Sequence, residues 1–269
     1  MTDSWHTSLD DAVACGMALA HFAARRGPDA AVVSPHGSRT FAELNGNANR
    51  LAHLMGAHGI GAGDGVAVVS RNRPAFLETY FAAMRCGARF TPVNFHLTAE
   101  EVGYVIDNCE AKLVVYDGTL PGAEAAVQAA PHCRVRLMVD GSAASFDDYA
   151  QALEAYVPDD IDHPQRGSQM LYTSGTTGRP KGVYRRQQPV ARSATQGAAA
   201  WNPATDVCLC TGPAYHAAPL AFNVVAPLNA GVGVVLMDKW SPQATLDAIE
   251  KYRITHTHMV ATMFHRLLQ

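Results

Sequence analysis

Lysine is scarce in this sequence. Four lysines stand among 269 residues, against seventeen arginines, so each one is a candidate for a placed charge. Charge of either sign is also sparse, at 17% of residues with a net charge of −3, and this excludes a basic nucleic-acid surface. The six cysteines, Cys15, Cys86, Cys109, Cys133, Cys208 and Cys210, form no C-x-x-C pair. The C-x-C spacing of Cys208 and Cys210 is wrong for the usual zinc sites, so all six read as reduced, buried thiols of a cytoplasmic protein. No repeat of fixed period is present. The N-terminal MTDSWHTSLDD is acidic and polar, unlike a signal peptide. The longest apolar stretch, Pro213–Met237, is interrupted by Pro219, Asn223, Pro227 and Asn229, and reads as a core helix and strand, not a membrane span.

What is present is a globular composition, 48% hydrophobic. Residues 8–25 read as one amphipathic helix, and Ala31–Ser34 as a short strand followed by a turn at His36-Gly37. Thr40–Glu43 and Thr98–Glu101 are capping boxes, in which a hydroxyl caps the first turn and a glutamate reaches back. Behind the first, Leu44, Ala48, Leu51 and Met55 share a helix face. Val66–Ser70, Leu113–Tyr116 and Val135–Val139 are mainly apolar runs, as in strands buried on both faces of a parallel sheet. Pro74 suits a first helical turn. Residues 157–168, polar with two prolines, read as a linker or surface crossing. Further strands are expected at 169–173, Gly182–Arg186, Val207–Thr211, Val232–Met237 and Thr255–Met259, with a helix at Pro242–Tyr252. The rhythm predicts an α/β fold with mainly parallel sheets flanked by helices.

The segment Leu171–Val183, LYTSGTTGRPKGV, carries the chemistry. Gly175 and Gly178 let backbone N–H groups turn toward an anion without a Cβ in the way. Thr173, Ser174, Thr176 and Thr177 add hydroxyl donors, and Lys181 adds a compact positive charge. Together these residue types make a clamp for a polyphosphate. The segment is not a Walker A loop, because the lysine lies three residues beyond Gly178 and is followed by Gly182, with Pro180 opposing a helix.

This segment resembles the phosphate-binding signature of the adenylate-forming superfamily, and all thirteen positions fit. Weaker resemblances run through Thr40–Leu54, Thr91–Asn94, Pro213–His216 and Trp240–Phe264, where Ala261 stands in place of the family's usual proline. The resemblance implies a large N-terminal domain of that fold and an acyl-CoA synthetase reaction. A carboxylate would attack ATP, with Mg²⁺ assisting, to give an acyl-adenylate, and CoA would then take the acyl group. It assigns Thr173, Ser174, Gly175, Thr176, Thr177, Gly178 and Lys181 to the nucleotide, with Lys181 and Thr176 stabilising the reacting phosphates. It places Tyr215 and His216 at the acid pocket, a carboxylic acid, ATP and CoA being the small-molecule partners. Another adenylate-forming reaction, or nucleotide binding without turnover, is the alternative.

The resemblance also implies parts beyond Gln269: an adenine-stacking segment with a Thr-Glu pair for magnesium, a ribose-binding aspartate, a hinge and a small mobile domain. The expectation is therefore that residues 1–269 are the N-terminal part of the AMP-binding domain, with a subdivision near 157–168, inactive alone and without a metal site of their own. Met259–Leu268, with Met259, Met263, Phe264 and Leu267 at helical spacing, is the expected self-association surface of a homodimer. His256 and His258 read as a polar strand end in preference to a metal pair, and Arg185 and Arg186 as solvated in preference to phosphate- or CoA-binding. Pro219–Leu228 suits either an acyl pocket or ordinary helix packing.

Overall fold

The structure is a computed structural model, and it describes residues 8–173, 180–184 and 201–269. The helices among these are α1 (Leu9–Cys15), α2 (Ala18–Arg26), α3 (Phe41–Ala57), α4 (Pro74–Arg85), α5 (Ala99–Asn108), α6 (Ala123–Gln128) and α7 (Tyr149–Glu154). After a π-helical segment, Pro219–Val225, come α8 (Ala226–Leu228), α9 (Pro242–Tyr252) and α10 (Ala261–Leu267). One sheet contains β1 (Ala30–Ser34), β2 (Gly37–Thr40), β10 (Val207–Cys210), β11 (Gly233–Leu236) and β12 (His256–Thr257). The other contains β3 (Gly65–Val69), β4 (Arg89–Val93), β5 (Ala111–Asp117), β6 (Val135–Val139), β7 (Asp147–Asp148), β8 (Ser168–Thr173) and β9 (Lys181–Tyr184).

The larger sheet runs β7-β6-β5-β3-β4-β8-β9, and every pair is parallel except β8–β9. The apolar runs at Val66, Leu113 and Val135 are thus adjacent strands, as expected. The smaller sheet runs β12-β10-β11-β1-β2, parallel except for the β1–β2 hairpin.

Strand periodicity explains the layering. Val66, Val68, Leu113, Val115 and Leu137 face one core together with α3, α4 and the smaller sheet's Cys208, Cys210, Val234 and Leu236. Their neighbours Ala67, Val69, Val114, Tyr116 and Met138 face a second core under α5 and α6. Leu209, Val235 and Met237 turn to a third, under α9. Helices therefore cover both outer faces, and α3 and α4 are sandwiched between the sheets.

All twelve residues of α4 are buried, charges included. Glu78 accepts hydrogen bonds from Arg39 Nε at 3.0 Å, Asn47 Nδ2 at 2.8 Å and Tyr149 Oη at 2.8 Å. Arg85 donates to Asn45 Oδ1 at 3.0 Å, to Asn49 and to Phe81 O, and burial lowers its pKa to about 10. Residues 157–167 cross the surface along α3, where Asn49 Nδ2 binds Pro158 O at 2.7 Å and Asp160 Oδ1 at 2.8 Å. All six cysteines are free, and burial raises each thiol pKa.

Both capping boxes form. Thr40 Oγ1 accepts from Glu43 N while Glu43 accepts from Thr40 N, and Thr98 and Glu101 repeat the exchange. Thr40→Ala is expected to cost about 1 kcal/mol, read as a lower urea midpoint at unchanged slope.

Three expectations need correction, and β2 and the π-helical segment add to them. The single helix at 8–25 is two, because Gly16 adopts φ +84° where a Cβ would lie 2.3 Å from Met84 O. The turn at Gly37 leads into a strand, β2, that pairs with β1. The strand expected over Thr255–Met259 is only His256–Thr257, since the carbonyl of His258 is taken by the Asn223 side chain at 3.2 Å. Asn223 belongs to the π-helical segment, and also donates to Leu209 O at 2.6 Å. At the chain's end, Met259 is buried before α10, while Phe264 on the helix and Val260 and Leu268 beside it are exposed. The expected one-sided alignment of Met259 with Phe264 therefore does not hold.

Candidate active site

The hairpin β8–β9 carries the phosphate-type segment at its tip. Register pairs Met170 with Tyr184, Leu171 with Val183, Tyr172 with Gly182 and Thr173 with Lys181. Residues 174–180 therefore join two paired strands, which is the strand–loop–strand arrangement expected and not a strand–loop–helix. Ser174, Gly175, Thr176, Thr177 and Gly178 lie outside the described residues, as do Arg185 and Arg186. Thr173 and Lys181, at the foot of the loop, are exposed, and among the described residues Lys181 makes no ion pair.

Gly182 leaves room for two side chains of β8. A Cβ there would lie 2.3 Å from Met170 Cε and 3.0 Å from Tyr172 Cζ. Tyr172 crosses that space and donates its hydroxyl to Asn108 Oδ1 at 2.6 Å, tying β8 to the end of α5. Burial, reinforced by Cys109 and Tyr104, pushes the Tyr172 pKa up, so it remains a donor.

β8 runs parallel to β4, with Ser168 opposite Arg89 and Gln169 opposite Phe90. Both strands thus deliver their following segments at the same end of the sheet, the end where ligands bind in open parallel sheets. After β4 come Asn94, Phe95 and His96, and the rings of the last two meet Tyr215. Phe95 stands edge-on to Tyr215 at 5.4 Å and 90°, and His96 lies 6.5 Å from it. Tyr215 in turn lies 4.4 Å from the ring of His216, in a turn closed by His216 N–H donating to Pro213 O. The two sequence-assigned pocket residues therefore sit in one aromatic cluster with Phe95 and His96.

His216 keeps much of its ring in solvent, and the burial it has lowers its pKa from 6.5. A histidine with a folded pKa below its unfolded value binds fewer protons when folded. Its contribution to stability is full above about pH 6.5 and declines as the pH falls below that value. Titration of the His216 ring by NMR should give a pKa under 6.5 in the native chain.

Asn72, buried after β3, was missed by the sequence reading. Its amide donates to Gly212 O and Met237 O, both at 2.9 Å, and its oxygen accepts from Ala214 N at 2.8 Å. It fastens the carboxyl ends of the two sheets together one residue before Tyr215. Phe95, His96 and Arg71 were missed as well. The available signal was their position, directly after parallel strands.

Among the described residues no three His, Cys, Asp or Glu side chains stand together to hold a metal. His256 packs 4.5 Å from Trp201 and His258 packs 5.2 Å from Phe222, so the two rings rest on different aromatics. No helix among the described residues is long and apolar enough to cross a membrane.

A sequence profile described as AMP-binding enzyme matches residues 19–269. The chain belongs to the AMP-binding enzyme family. Similar members of known activity are CoA ligases. A feruloyl-CoA synthase of an Amycolatopsis species is 32% identical over 255 residues, covering 91% of this chain and 48% of that protein. An indoleacetate–CoA ligase of Aromatoleum aromaticum is 32% identical over 255 residues, covering 88% and 48%. The structure of ATP-bound MatB from Rhodopseudomonas palustris superposes with a TM-score of 0.77 at 28% identity, over 94% of this chain and 51% of that one. This AMP-binding enzyme chain thus spans about half the length of the curated relatives it matches.

Proposed function

We propose that the whole protein is an AMP-forming acid–CoA ligase, and that residues 173–181 hold the ATP polyphosphate. The observation that carries this is the complete thirteen-residue segment closing a hairpin whose strands end on Thr173 and Lys181. A substrate carboxylate attacks the α-phosphorus of ATP. The bond to the β-phosphate bridging oxygen breaks, giving acyl-adenylate and pyrophosphate. The CoA thiol then adds to the acyl carbon, loses its proton, and AMP leaves. Lys181 and the loop donors offset the repulsion between the approaching anions and take up charge on the departing pyrophosphate. Mg²⁺ accompanies the nucleotide as its counter-ion, and no residue of this chain is assigned to it. His216 is a wall and not a base, because a carboxylate is already ionised near pH 7.

The acid is proposed to be planar and aromatic. Phe95, His96, Tyr215 and His216 offer ring faces and edges where an aryl group gains offset or edge-on contacts. The relatives named for ferulate and indoleacetate support the same class. Pyrophosphate exchange by the whole protein with ATP and a panel of aryl and straight-chain acids tests the reaction and the class together. Exchange that depends on aryl acids is expected, and exchange with no acid on the panel overturns it. Titration of ATP into the 269-residue chain distinguishes binding from turnover.

A further inference from the structure

Arg71 follows β3 at the seam between the sheets and belongs to no motif used above. Its guanidinium is held from both sides. Nη1 lies 3.8 Å from Asp117 Oδ2, at the end of β5 in the larger sheet, and Nε lies 3.8 Å from Asp238 Oδ1, after β11 in the smaller one. Nη1 also donates to the hydroxyl of Thr119. These anchors are themselves fixed. Asp117 is fully buried, pairs with Arg73 at 3.0 Å and accepts from Thr119 N and Oγ1. Asp238 has a second neighbour in His36 Nε2 at 3.5 Å. The guanidinium carbon lies 6.0 Å from the centre of the Phe95 ring, on its face. Phe95 meets Tyr215 edge-on, and Tyr215 meets His216.

We propose that Arg71 is a positioning residue for the acid pocket: clamped by carboxylates of both sheets, it caps the Phe95 ring and through it fixes the orientation of Tyr215 beside His216. This rests on the reading of Tyr215 and His216 as the acid-side wall. Ion pairs at 3.8 Å from a partly solvated guanidinium add little stability by themselves. Their effect is to hold a planar cation over a ring face, where its attraction for the π electrons selects one ring orientation. Arg71 touches no part of the reacting phosphates in this assignment. Its loss acts on acid recognition and leaves ATP recognition alone.

The test uses ring-current shifts in the 269-residue chain, where His216 Hε1 reports the nearby Tyr215 ring. Arg71→Gln and Phe95→Leu should each move that resonance toward the position of free histidine, and the double variant should move it no further than Phe95→Leu. Arg71→Lys, which keeps a cation over the ring, should retain most of the native shift. Thr119→Val keeps every charge and removes the hydroxyl that links Arg71 to Asp117. It should give a smaller shift in the same direction, and it decides the matter if Arg71→Gln does not fold. A His216 resonance that moves in Phe95→Leu but stays in place in both Arg71→Gln and Thr119→Val overturns the proposal. In the whole protein, Arg71→Gln should raise KM for the aryl acid roughly three- to tenfold with KM for ATP unchanged. An equal rise in both constants counts against positioning. The His216 shift needs no substrate. Absence of acid-dependent exchange in the unmutated protein would remove the proposed reaction and leave the Arg71 result standing.

Discussion

Lys181→Ala in the whole protein is expected to slow adenylation about 10- to 100-fold, the loss of roughly 1.5–3 kcal/mol of charge-assisted contact with phosphate. Lys181 begins β9 opposite Thr173, so the hairpin register fixes its backbone at the foot of the loop. It is one of only four lysines in the chain, and among the described residues no carboxylate neutralises it. The side chain is exposed, so little packing is lost in the variant, and folding should be preserved. Lys181→Arg should restore only part of the rate, because a broad planar fork does not replace a compact ammonium at a loop built for one. Thr176→Ala should fall in the same range for loss of a hydroxyl donor. The measurement is acid-dependent pyrophosphate exchange, compared with the thermal unfolding midpoint of each variant. Unchanged exchange in both Lys181→Ala and Thr176→Ala would remove the phosphate clamp from the account. A lowered midpoint accompanying the rate loss would assign the effect to folding.

Local rules were legible in the sequence because the partners are close along the chain. A capping box needs only residues three apart, and both form. Strands β3, β5 and β6 were legible because burial on both faces leaves the runs Val66–Ser70, Leu113–Tyr116 and Val135–Val139 almost wholly apolar, with Arg136 the one charge inside them. The hairpin at residues 169–184 was legible because Pro180 and the β-branched residue beyond it oppose a helix. The break at Gly16 was not, because its cause is the carbonyl of Met84, far along the chain. The π-helical segment depends on Asn223 reaching the carbonyls of Leu209 and His258, which no periodicity encodes. The same holds at the site. Tyr215 and His216 announced themselves through a motif, whereas Arg71, Asn72 and Phe95 are ordinary residues until the fold sets them against Asp117, Gly212 and Tyr215. Position after a parallel strand was their common mark.

Asn72→Ala is expected to destabilise the chain by about 3 kcal/mol, lowering the thermal midpoint by roughly 6–10 °C. One side chain serves three backbone groups, and alanine leaves the buried Ala214 N–H and Met237 carbonyl without it, while Gly212 O keeps only the Cys210 thiol. No other residue can substitute, because the position demands one acceptor and two donors on a planar group of this length. Asn72→Asp is therefore no rescue. Its carboxylate could still accept from Ala214 N–H, but it would face two carbonyl oxygens without a hydrogen to offer, in a site only 5% exposed. Its midpoint should be as low as that of alanine at pH 7. It should recover part of the loss as the pH falls and the carboxyl gains a proton to donate. The damage should also reach the site, since Ala214 immediately precedes Tyr215. In the whole protein, KM for the acid should rise even at temperatures where Asn72→Ala remains folded. Calorimetry of the three chains across pH, beside acid-dependent exchange, separates the two effects. An Asn72→Ala midpoint within about 1 °C of the unmutated chain would mean that the sheets are joined at this end by contacts other than the Asn72 amide.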